Sequence, residues 1–517
     1  LASDILQEIG RNCSQRHITN NYLLLCYISC GQKMTTFVGN FINSLFFLFQ
    51  LRKSYILQMG TLLLLLSAIL LAGKLNIYLS AAGTEYQPLW NRTDAYGYLG
   101  FTLLFSLKLL PCLSLPFALM NIFSLFLTNV WPDPPKLEVR LSDIPFICFR
   151  VVTRGAYKSL VAKCLERNIE TCQIIGLEKF KFEIVTDIRL DLRTSMFIRE
   201  IVVPNDYTTR NNSLYKARAL HYCLENKVNM LSNDDWIVHL DEETILTEES
   251  VIGLANFATK NIGEIGQGVI TYANDGIVNW ITTLADSVRV SIDIGLMKFC
   301  LQKLHRPLFG LKGSYIIIKL AAEKDIGFDF GPKGSIAEDI FFALLAWTKG
   351  YKFNFVEGEM WEKSPFTIVD YIKQRKRWFV GRMYTLLSPN IPVKYKLFLI
   401  PTDLSWLLLT LNLSNSLVSL LFPMQTPHIV IFVTSVIVGV MIFLFAFGSI
   451  KSFSLKRYGF LKKALICVST ILIIPFAACL DGIASLYGFC GRLDDGFYIV
   501  KKDKDLHVKS NHADILV

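Results

Sequence analysis

Two kinds of hydrophobic pattern divide the chain. Long apolar runs lie near its beginning and its end, whereas short apolar runs alternate with helical patterns in between. About 20 consecutive apolar residues are enough for a helix to cross a bilayer. Short apolar runs between helical patterns are typical of the strands of an α/β sheet. The pattern therefore predicts one α/β domain flanked by transmembrane helices.

The long apolar runs predict about five spans, two before the α/β domain and three after it. Pro111 and Pro116 interrupt the second run. Asp403 and Asp481 place a charge in two of the later runs, so that a re-entrant segment is an alternative there. A shorter apolar run at 37–50 fits an interfacial or re-entrant segment as well as a span. The five runs are 59–79, 98–131, 397–422, 429–447 and 464–489.

These patterns predict the organisation of the chain. A glycosylation sequon at 91–93 agrees with a lumenal loop between the first two spans. Inside the α/β domain, short apolar runs predict strands at 146–152, 182–185, 201–203, 236–240 and 268–272. The predicted parts are an N-terminal segment of no assigned role (1–55), two transmembrane helices with their loop (56–131), the α/β domain (132–390), about three transmembrane or re-entrant helices (391–490) and a C-terminal tail (491–517).

Composition narrows the classes of partner. The chain is 52% hydrophobic and 19% charged, as expected when part of it lies in lipid. A net charge of +10 suits nucleic acid, anionic lipid headgroups or phosphorylated substrates, and the apolar runs favour the last two. The 12 cysteines are scattered singly, which predicts reduced thiols and neither a disulfide framework nor a zinc site.

The first candidate site is the acidic turn of WIVHLDEETIL (236–246), which follows directly on an apolar run. Ligands of α/β sheets bind at the carboxyl ends of strands. Asp241 and Glu243 are close enough in sequence to hold one Mg²⁺ or Mn²⁺ against a diphosphate, which makes the diphosphate a better leaving group. The alternative is a solvated turn that caps a helix after Thr247, and this motif does not decide between the two.

The second candidate site is GSIAEDIFFALLAW (334–347). The spacing of Ser335 and Glu338 predicts a capping box at a helix start. Asp339 has no such structural role. It lies in the first helical turn, where the helix dipole favours an ionised carboxylate, the form that a general base needs. Judged by itself, the commoner role of such an Asp is only to complement the dipole.

The third candidate site is YIKQRKRWFVGR (371–382), in which basic and aromatic residues alternate just before the apolar runs return. One interpretation is an amphipathic interfacial helix with Trp378 at the membrane boundary. In the other, Gln374 and Arg377 hold phosphate oxygens while Trp378 stacks on a sugar. Both interpretations can hold at once.

The order of these three motifs resembles the inverting glycosyltransferases of family two, which include cellulose, chitin and hyaluronan synthases. Their DxD, TED-like and QxxRW motifs match Asp241 with Glu243, Asp339 in AED, and the residues Gln374, Arg377 and Trp378. Further segments, among them FRVVTRG (149–155) and GQGVITYANDGIVNWITTLADSVRV (266–290), resemble the egghead-type β-1,4-mannosyltransferases of invertebrate glycosphingolipid synthesis. This resemblance covers about residues 140–385.

The resemblance implies a GT-A fold and the transfer of mannose from GDP-mannose, with inversion, to glucosylceramide in the endoplasmic reticulum or Golgi membrane. It also implies a divalent cation on Asp241 and Glu243. Arg52 and Lys53 before the first span predict that its N-terminal side is cytosolic, and the second span returns the chain there, so the catalytic domain is expected to face the cytosol. By position, Thr153, Arg154 and Asp187 would contact the nucleoside, and Lys216 or Arg218 the donor side. Two residues depart from the family pattern: His239 replaces the first Asp of a DxD, and Arg382 is an added charge.

The sequence leaves two other functions open. A processive polysaccharide synthase needs a continuous transmembrane channel. About five spans with few interior polar residues offer little material to form and line such a channel. A transporter or receptor with an inserted α/β binding domain would show paired polar residues within the spans or an internal repeat, and neither is evident.

Overall fold

The computed structural model describes residues 53–81, 92–192, 195–409 and 426–491, together with positions 411, 412, 418, 421, 422, 424, 498 and 502. The apolar run at 37–50 and Asn91 of the predicted sequon lie outside these residues. The chain divides into two compact units, Leu1–Met59 and Gly60–Val517. The sheet and the candidate site both lie in the second unit.

A seven-stranded mixed sheet forms the centre of the α/β domain, in the order β3-β2-β1-β4-β6-β5-β7. Strands β1 to β4 run parallel, β6 is antiparallel to both of its neighbours, and β5 pairs in parallel with β7. The strands are β1 (Ile147–Thr153), β2 (Phe180–Thr186), β3 (Ile198–Val202), β4 (Trp236–Asp241), β5 (Ile265–Thr271), β6 (Ile316–Lys319) and β7 (Phe353–Trp361).

The five strands predicted from apolar runs are confirmed as β1 to β5. Strands β1, β2, β4 and β5 are mostly buried, and every residue of β5 is buried, whereas β3, at the edge of the sheet, has one buried residue, Ile201. Strands β6 and β7 were not predicted. Among the described residues, the α-helices of this domain are α4 (Lys158–Ile174), α5 (Tyr215–Tyr222), α6 (Glu248–Lys260), α7 (Trp280–Ile292), α8 (Lys298–Gln302), α9 (Leu320–Ile326), α10 (Gly331–Gly334), α11 (Glu338–Thr348) and α12 (Ile368–Leu387).

Apolar helices lie on either side of this domain in the chain. Within the described ranges, three stretches are long and apolar enough to cross a membrane, and a pair of helices bent by 48° is a fourth span or a re-entrant loop. They cover four of the five predicted runs. The described helices are α1 (Lys53–Ala81), α2 (Arg92–Leu109), α3 (Leu115–Leu127), α13 (Leu399–Leu407), α14 (His428–Ser452), α15 (Leu455–Leu472) and α16 (Ile474–Cys490). The three stretches are Ser54–Ile77, Tyr96–Leu127 and His428–Ser452, and the bent pair is α15 with α16.

The remaining predicted run, 397–422, begins with the short helix α13 and continues into residues that are largely outside the description. The number of spans therefore stays a prediction.

Helix α14 packs directly against α7 of the α/β domain. A Cβ atom added to Gly448 in α14 would lie 1.8 Å from the carbonyl oxygen of Ser287 in α7. Only a glycine allows the two backbones to approach so closely. At this point the backbone of an apolar helix that could span a membrane is in direct contact with the backbone of a helix of the α/β domain.

Charged residues of the apolar helices pair with α12. The Nε of Arg382 donates a hydrogen bond to Asp403 in α13. Asp403 is only 2% exposed. In α16, Asp481 Oδ1 lies 3.4 Å from Arg375 Nε. Polar residues among apolar helices are costly unless they are paired. Arg382, which the sequence pattern left without a role, therefore compensates Asp403.

Candidate active site

Asp241 ends β4, beside the end of the neighbouring parallel strand β1. The Nζ of Lys216, in the first turn of α5, donates to Asp241 Oδ1 at 2.7 Å and to the carbonyl oxygen of Gly313 at 2.6 Å. At the end of β1, the hydroxyl of Thr153 donates to a carboxylate oxygen of Glu242. The parallel pairing of β1 with β4 thus brings Thr153 and the predicted acidic turn to one edge of the sheet.

A lysine from the C-terminal tail also reaches the acidic turn. The Nζ of Lys502 lies 2.5 Å from Glu243 Oε2 and 3.4 Å from Glu242 Oε1. Its side chain is 18% exposed. Sequence analysis did not include Lys502 in the site.

The charges around the turn separate the pKa values of its carboxyl groups. Burial would raise the pKa of Asp241, but Lys216, Lys502 and Arg377 together hold it well below its usual range. Burial raises the pKa of Glu243 to about 7, with Asp241 adding to the shift and Lys502 opposing it. Asp241 is therefore ionised at neutral pH, while Glu243 depends on a nearby cation for its charge.

Asp339 lies in the first turn of α11, as predicted, where its Oδ1 accepts a hydrogen bond from the backbone N–H of Ile340 at 2.8 Å. The predicted capping box is wrong. The helix begins at Glu338 after Ala337, and the hydroxyl of Ser335 donates to the carbonyl of Gly331 in the preceding turn. Ser335 directly follows α10, and its hydroxyl is bonded to that helix, so it does not cap α11.

Asp339 and its neighbour Glu338 share the surroundings of Lys216. A Cβ added to Gly313 would lie 3.5 Å from both Asp339 Oδ2 and Lys216 Nζ. Glu338 Oε1 lies 4.0 Å from the same Nζ. Burial raises the pKa of Glu338 to about 7, with the charge of Asp339 adding to the shift. Burial also raises the pKa of Asp339, against the hydrogen bond from Ile340 and the charges of Lys216 and Arg377.

The lysine ammonium therefore connects the acidic turn with the start of α11. Sequence reasoning placed Asp241 and Asp339 in separate motifs, and the structure brings them to one place around Lys216 and Gly313.

The QRKRW segment lies within α12. Two guanidinium groups lie over the ring of Trp378. The guanidinium carbon of Arg375 is 4.3 Å from the ring centroid, and that of Arg289 is 4.6 Å from it. Arg375 also donates to Asp286 of α7 and, at 3.2 Å, to Gln374 Oε1. The Trp378 ring is thus held by cation–π contacts inside a network of charged residues.

Arg377 is the member of this segment whose charge acts on the carboxylates of the site. It lowers the pKa of Asp241, Glu338 and Asp339. The helix α12 therefore brings a positive charge to both the acidic turn and the start of α11.

The other predicted donor-binding residues lie near the ends of β1 and β2. Asp187 follows this strand, and Arg218 Nη2 donates to its Oδ1 at 2.8 Å. The Nη1 of Arg218 donates to the backbone carbonyls of Pro204 and Tyr207. Arg154 is exposed. Asp187 and Arg218 thus pair with each other, while Lys216 contacts the acidic turn.

Two carboxylates near the turn were missed by sequence reasoning. Glu362, just after β7, accepts a hydrogen bond from Thr244 Oγ1 at 2.7 Å. Glu323 lies deeper, 3.2 Å from His239 Nε2 and 3.1 Å from Arg150 Nη1. His239 therefore belongs to a buried ionic network, and no short motif marks either partner.

The acidic turn fits a divalent cation only in part. Within the described residues, no group of three or more His, Cys, Asp or Glu side chains is arranged to hold a metal ion. Asp241 and Glu243 supply two carboxylates, and Mg²⁺ usually completes such a shell with water and substrate phosphates. The Lys502 ammonium beside Glu243 shows that the turn accommodates a cation.

The chain is similar to known proteins over most of its length. Residues 236–450 match the family model described as glycosyl transferase family group 2. The β-1,4-mannosyltransferase egh of Drosophila melanogaster is 46% identical over 408 residues, which cover 79% of this chain and 89% of that protein. The β-1,4-mannosyltransferase bre-3 of Caenorhabditis elegans is 42% identical over 410 residues, which cover 79% and 90%.

A more distant likeness is found among solved structures. The mannosyltransferase PcManGT of Pyrobaculum calidifontis, in complex with GDP-Man and Mn²⁺, has 12% identity and a TM-score of 0.43, and the match covers 75% of this chain and 99% of that one. This likeness is too distant to bear on the reaction.

Proposed function

This chain belongs to the β-1,4-mannosyltransferases of glycosyl transferase family group 2, and we propose that it transfers mannose from GDP-mannose, with inversion, to membrane-held glucosylceramide. The predicted class of enzyme and the predicted α/β glycosyltransferase fold are confirmed. The donor, the acceptor and the residue roles given below are the content of the proposal.

The observation that carries the proposal is that one ammonium group lies beside both halves of the site. Lys216 Nζ lies 2.7 Å from Asp241, and it shares the space beside Gly313 with Asp339. A group transfer needs a leaving group and an attacking hydroxyl in one place. Asp241 serves the leaving diphosphate in this arrangement, and Asp339 serves the hydroxyl.

The reaction is a single displacement at the anomeric carbon of mannose. The acceptor hydroxyl oxygen forms a bond to that carbon while the bond to the β-phosphate oxygen of GDP breaks. Asp339 accepts the hydroxyl proton as general base. Attack on the face opposite to the leaving group inverts the anomeric configuration and yields the β-linkage.

The remaining residues hold the two substrates. Asp241 and Glu243 would hold a divalent cation, Mg²⁺ or Mn²⁺, which would neutralise charge on the leaving diphosphate. Arg377 and Lys216 add fixed positive charge at the same place. At the ends of β1 and β2, Thr153, Arg154 and Asp187 contact the nucleoside, with Arg218 positioning Asp187 through their ion pair.

The acceptor approaches along α12. This helix pairs with the apolar helices through Arg382 and Arg375, so that Gln374 and Trp378 lie in an element that joins the site to these helices. A glycolipid whose ceramide stays in the bilayer can present its glucose there. The domain faces the cytosol of the endoplasmic reticulum or Golgi, where the chain's charge of +10 attracts the soluble, anionic donor.

The test uses the full chain in detergent or in membranes. Labelled GDP-mannose, UDP-glucose and UDP-N-acetylglucosamine are each offered with glucosylceramide, galactosylceramide or ceramide, and the linkage of the product is determined. We expect a single β-1,4-mannose on glucosylceramide from GDP-mannose alone. Transfer of another sugar, or repeated addition to the same lipid, would contradict the proposal. The Asp339→Asn protein is the matched control for background activity.

A further inference from the structure

A cluster of positive charge lies at the start of α15, directly after the turn that joins this helix to α14. The chain has no Asp or Glu between positions 451 and 480, so no carboxylate nearby in the sequence compensates this charge. Within the described part of the chain, none of the side chains in the cluster forms an ion pair. We call this cluster the basic corner. It consists of Lys456, Arg457, Lys462 and Lys463.

Large apolar side chains lie between these charges. Phe460 is 81% exposed, Leu461 is 73% exposed and Leu455 is 53% exposed. After them α15 continues as an apolar helix, the first member of the bent pair that is a fourth span or a re-entrant loop. Exposed apolar groups bordered by charge mark a surface that contacts a partner or a membrane. Because an apolar helix starts here, the basic corner lies where that helix would meet the surface of a bilayer.

The backbone of α15 breaks at Gly459, in the middle of the basic corner. Gly459 has a φ of 70° and a ψ of 170°, and a positive φ favours glycine. A Cβ added there would meet nothing within 4 Å, so the conformation and not crowding requires the glycine. The break turns the first residues of α15 away from the axis of its apolar part. Two of the four charges precede it and two follow it.

The basic corner is attached to the α/β domain. Arg457 Nη1 donates to the backbone carbonyl of Asn274 at 2.5 Å, and the hydroxyl of Tyr458 donates to that of Ala273 at 3.4 Å. Both carbonyls belong to the loop that follows β5. A segment in contact with the α/β domain meets the leaflet nearest to that domain. The proposed function places the domain in the cytosol, and cytosolic leaflets carry anionic headgroups.

The loop held by the basic corner leads to the candidate site. The side-chain amide of Asn274 donates to Glu359 Oε1 at 3.0 Å and to Thr271 Oγ1 at 3.1 Å, at the ends of β7 and β5. Tyr272 lies between Thr271 and the held carbonyls, and the guanidinium carbon of Arg289 is 4.4 Å from the centroid of its ring. The same guanidinium lies over Trp378. One loop and one guanidinium therefore connect the basic corner with Trp378.

We propose that the basic corner binds the headgroups of anionic phospholipids in the leaflet nearest to the α/β domain, and that this contact steadies the loop after β5. The phosphate and carboxylate oxygens of the headgroups pair with the four cations, while Phe460 and Leu461 enter the acyl region beneath them. The transfer reaction itself does not require such a lipid. Only the effect on the reaction rate rests on the proposed function.

The binding test titrates the full chain in detergent with phosphatidylserine or phosphatidylcholine and measures each Kd by native mass spectrometry. Lys456→Gln combined with Lys462→Gln removes two charges and leaves the contact of Arg457 with Asn274 in place. We expect this variant to raise the Kd for phosphatidylserine about tenfold, because each cation close to an anionic headgroup adds to the attraction. The Kd for phosphatidylcholine should stay within about twofold of the wild type, since that headgroup has no net charge.

Two further variants control for the loss of charge. Lys227 and Lys324 are exposed lysines beside the loop that precedes β4, and Lys324 contacts Asn233 of that loop. Lys227→Gln combined with Lys324→Gln removes the same amount of charge there and should leave the Kd for phosphatidylserine unchanged. Lys456→Arg combined with Lys462→Arg keeps the charge and should restore the wild-type Kd. An unchanged Kd in the glutamine variant of the basic corner, or an equal rise in the control pair, would overturn the inference.

The effect on the loop is measured as mannosyl transfer in vesicles of phosphatidylcholine with and without phosphatidylserine. We expect phosphatidylserine to raise the rate of the wild type and to leave the glutamine variant of the basic corner at its rate in phosphatidylcholine alone. An equal response of both proteins would overturn the connection with the loop. If the wild type transfers no mannose in either vesicle, the proposed function fails, whereas the Kd for phosphatidylserine still tests the basic corner.

Discussion

Asp339 and Glu338 are adjacent carboxylates at one helix start, and their contacts differ. Asp339 accepts a hydrogen bond from the Ile340 N–H and faces the space beside Gly313. Glu338 is largely buried, at 4.0 Å from Lys216. The backbone hydrogen bond stabilises the ionised form of Asp339, which is the form that accepts a proton. These contacts favour Asp339 as the base.

Replacement of Asp339 by Asn tests this assignment. The amide cannot take the hydroxyl proton, so kcat should fall roughly 10²-fold or more, while GDP binding stays unchanged. Initial rates and calorimetric titration with GDP measure the two quantities. Glu338→Gln is the matched control, with a smaller expected loss. A larger loss in Glu338→Gln than in Asp339→Asn would transfer the role of base to Glu338.

The raised pKa of the base predicts a pH profile. A base acts only when deprotonated, so activity is present above its pKa and is lost as the pH falls through it. Burial raises the pKa of Asp339. The acidic limb of kcat/KM should therefore lie above about 4, the usual range of an Asp. A profile of initial rates that stays flat down to that pH would contradict a buried base, whereas a midpoint near 7 would match Glu338, whose pKa is raised to about 7.

For single residues, the sequence predicted which side chains lie at the site better than it predicted the residues that they pair with. Asp241 and Asp339 lie at one site because strand ends and helix starts have characteristic places for carboxylates. The ion pair of Arg375 with Asp286 joins residues 89 positions apart, and that of Lys502 with Glu243 joins residues 259 positions apart. No local pattern encodes such contacts, because they follow from how the helices pack.

Among the elements, apolar runs identified β1 to β5 but not β6 or β7. Strand β6 has only four residues, too few for a clear pattern. Strand β7 includes Glu357, Gly358 and Glu359, and its pairing with β5 is irregular. The short apolar run that identified the other strands is therefore interrupted there. Gly358 has a φ of 88° and accepts the close approach of the Glu249 backbone, which a side chain would block.

The contact between α7 and α14 predicts an effect of a single methyl group. Gly448→Ala places a Cβ against the Ser287 carbonyl, so that the helices must separate. We expect a loss of roughly 1–3 kcal/mol or more, measured as a lower Tm in detergent, together with reduced activity.

Gly60→Ala is the control for this prediction, because nothing lies within 4 Å of its added Cβ and alanine suits a helix better than glycine. An unchanged Tm in Gly448→Ala would show that α14 is not fitted to α7 as described.

For the whole molecule, α12 is the element that joins the chemistry to the apolar helices. It carries Arg377 beside the carboxylates, and Arg375 and Arg382 against α16 and α13. Sequence analysis predicted both an interfacial and a catalytic interpretation of this segment. Its charged residues act on the carboxylates of the site and pair with the apolar helices, so both interpretations stay predictions for the same helix.

The contact of Lys502 with Glu243 predicts the parity of the membrane crossings. Two residues in contact lie on the same side of a bilayer, so we expect the chain between Asn390 and Tyr498 to cross it an even number of times. In sealed microsomes, an epitope tag after Val517 should have the same protease sensitivity as a tag in the exposed loop at Arg189. Opposite sensitivities would contradict the contact. If α14 crosses, we expect one of the other two candidate segments, 397–422 or the bent pair, to cross as well, and the remaining one not to cross.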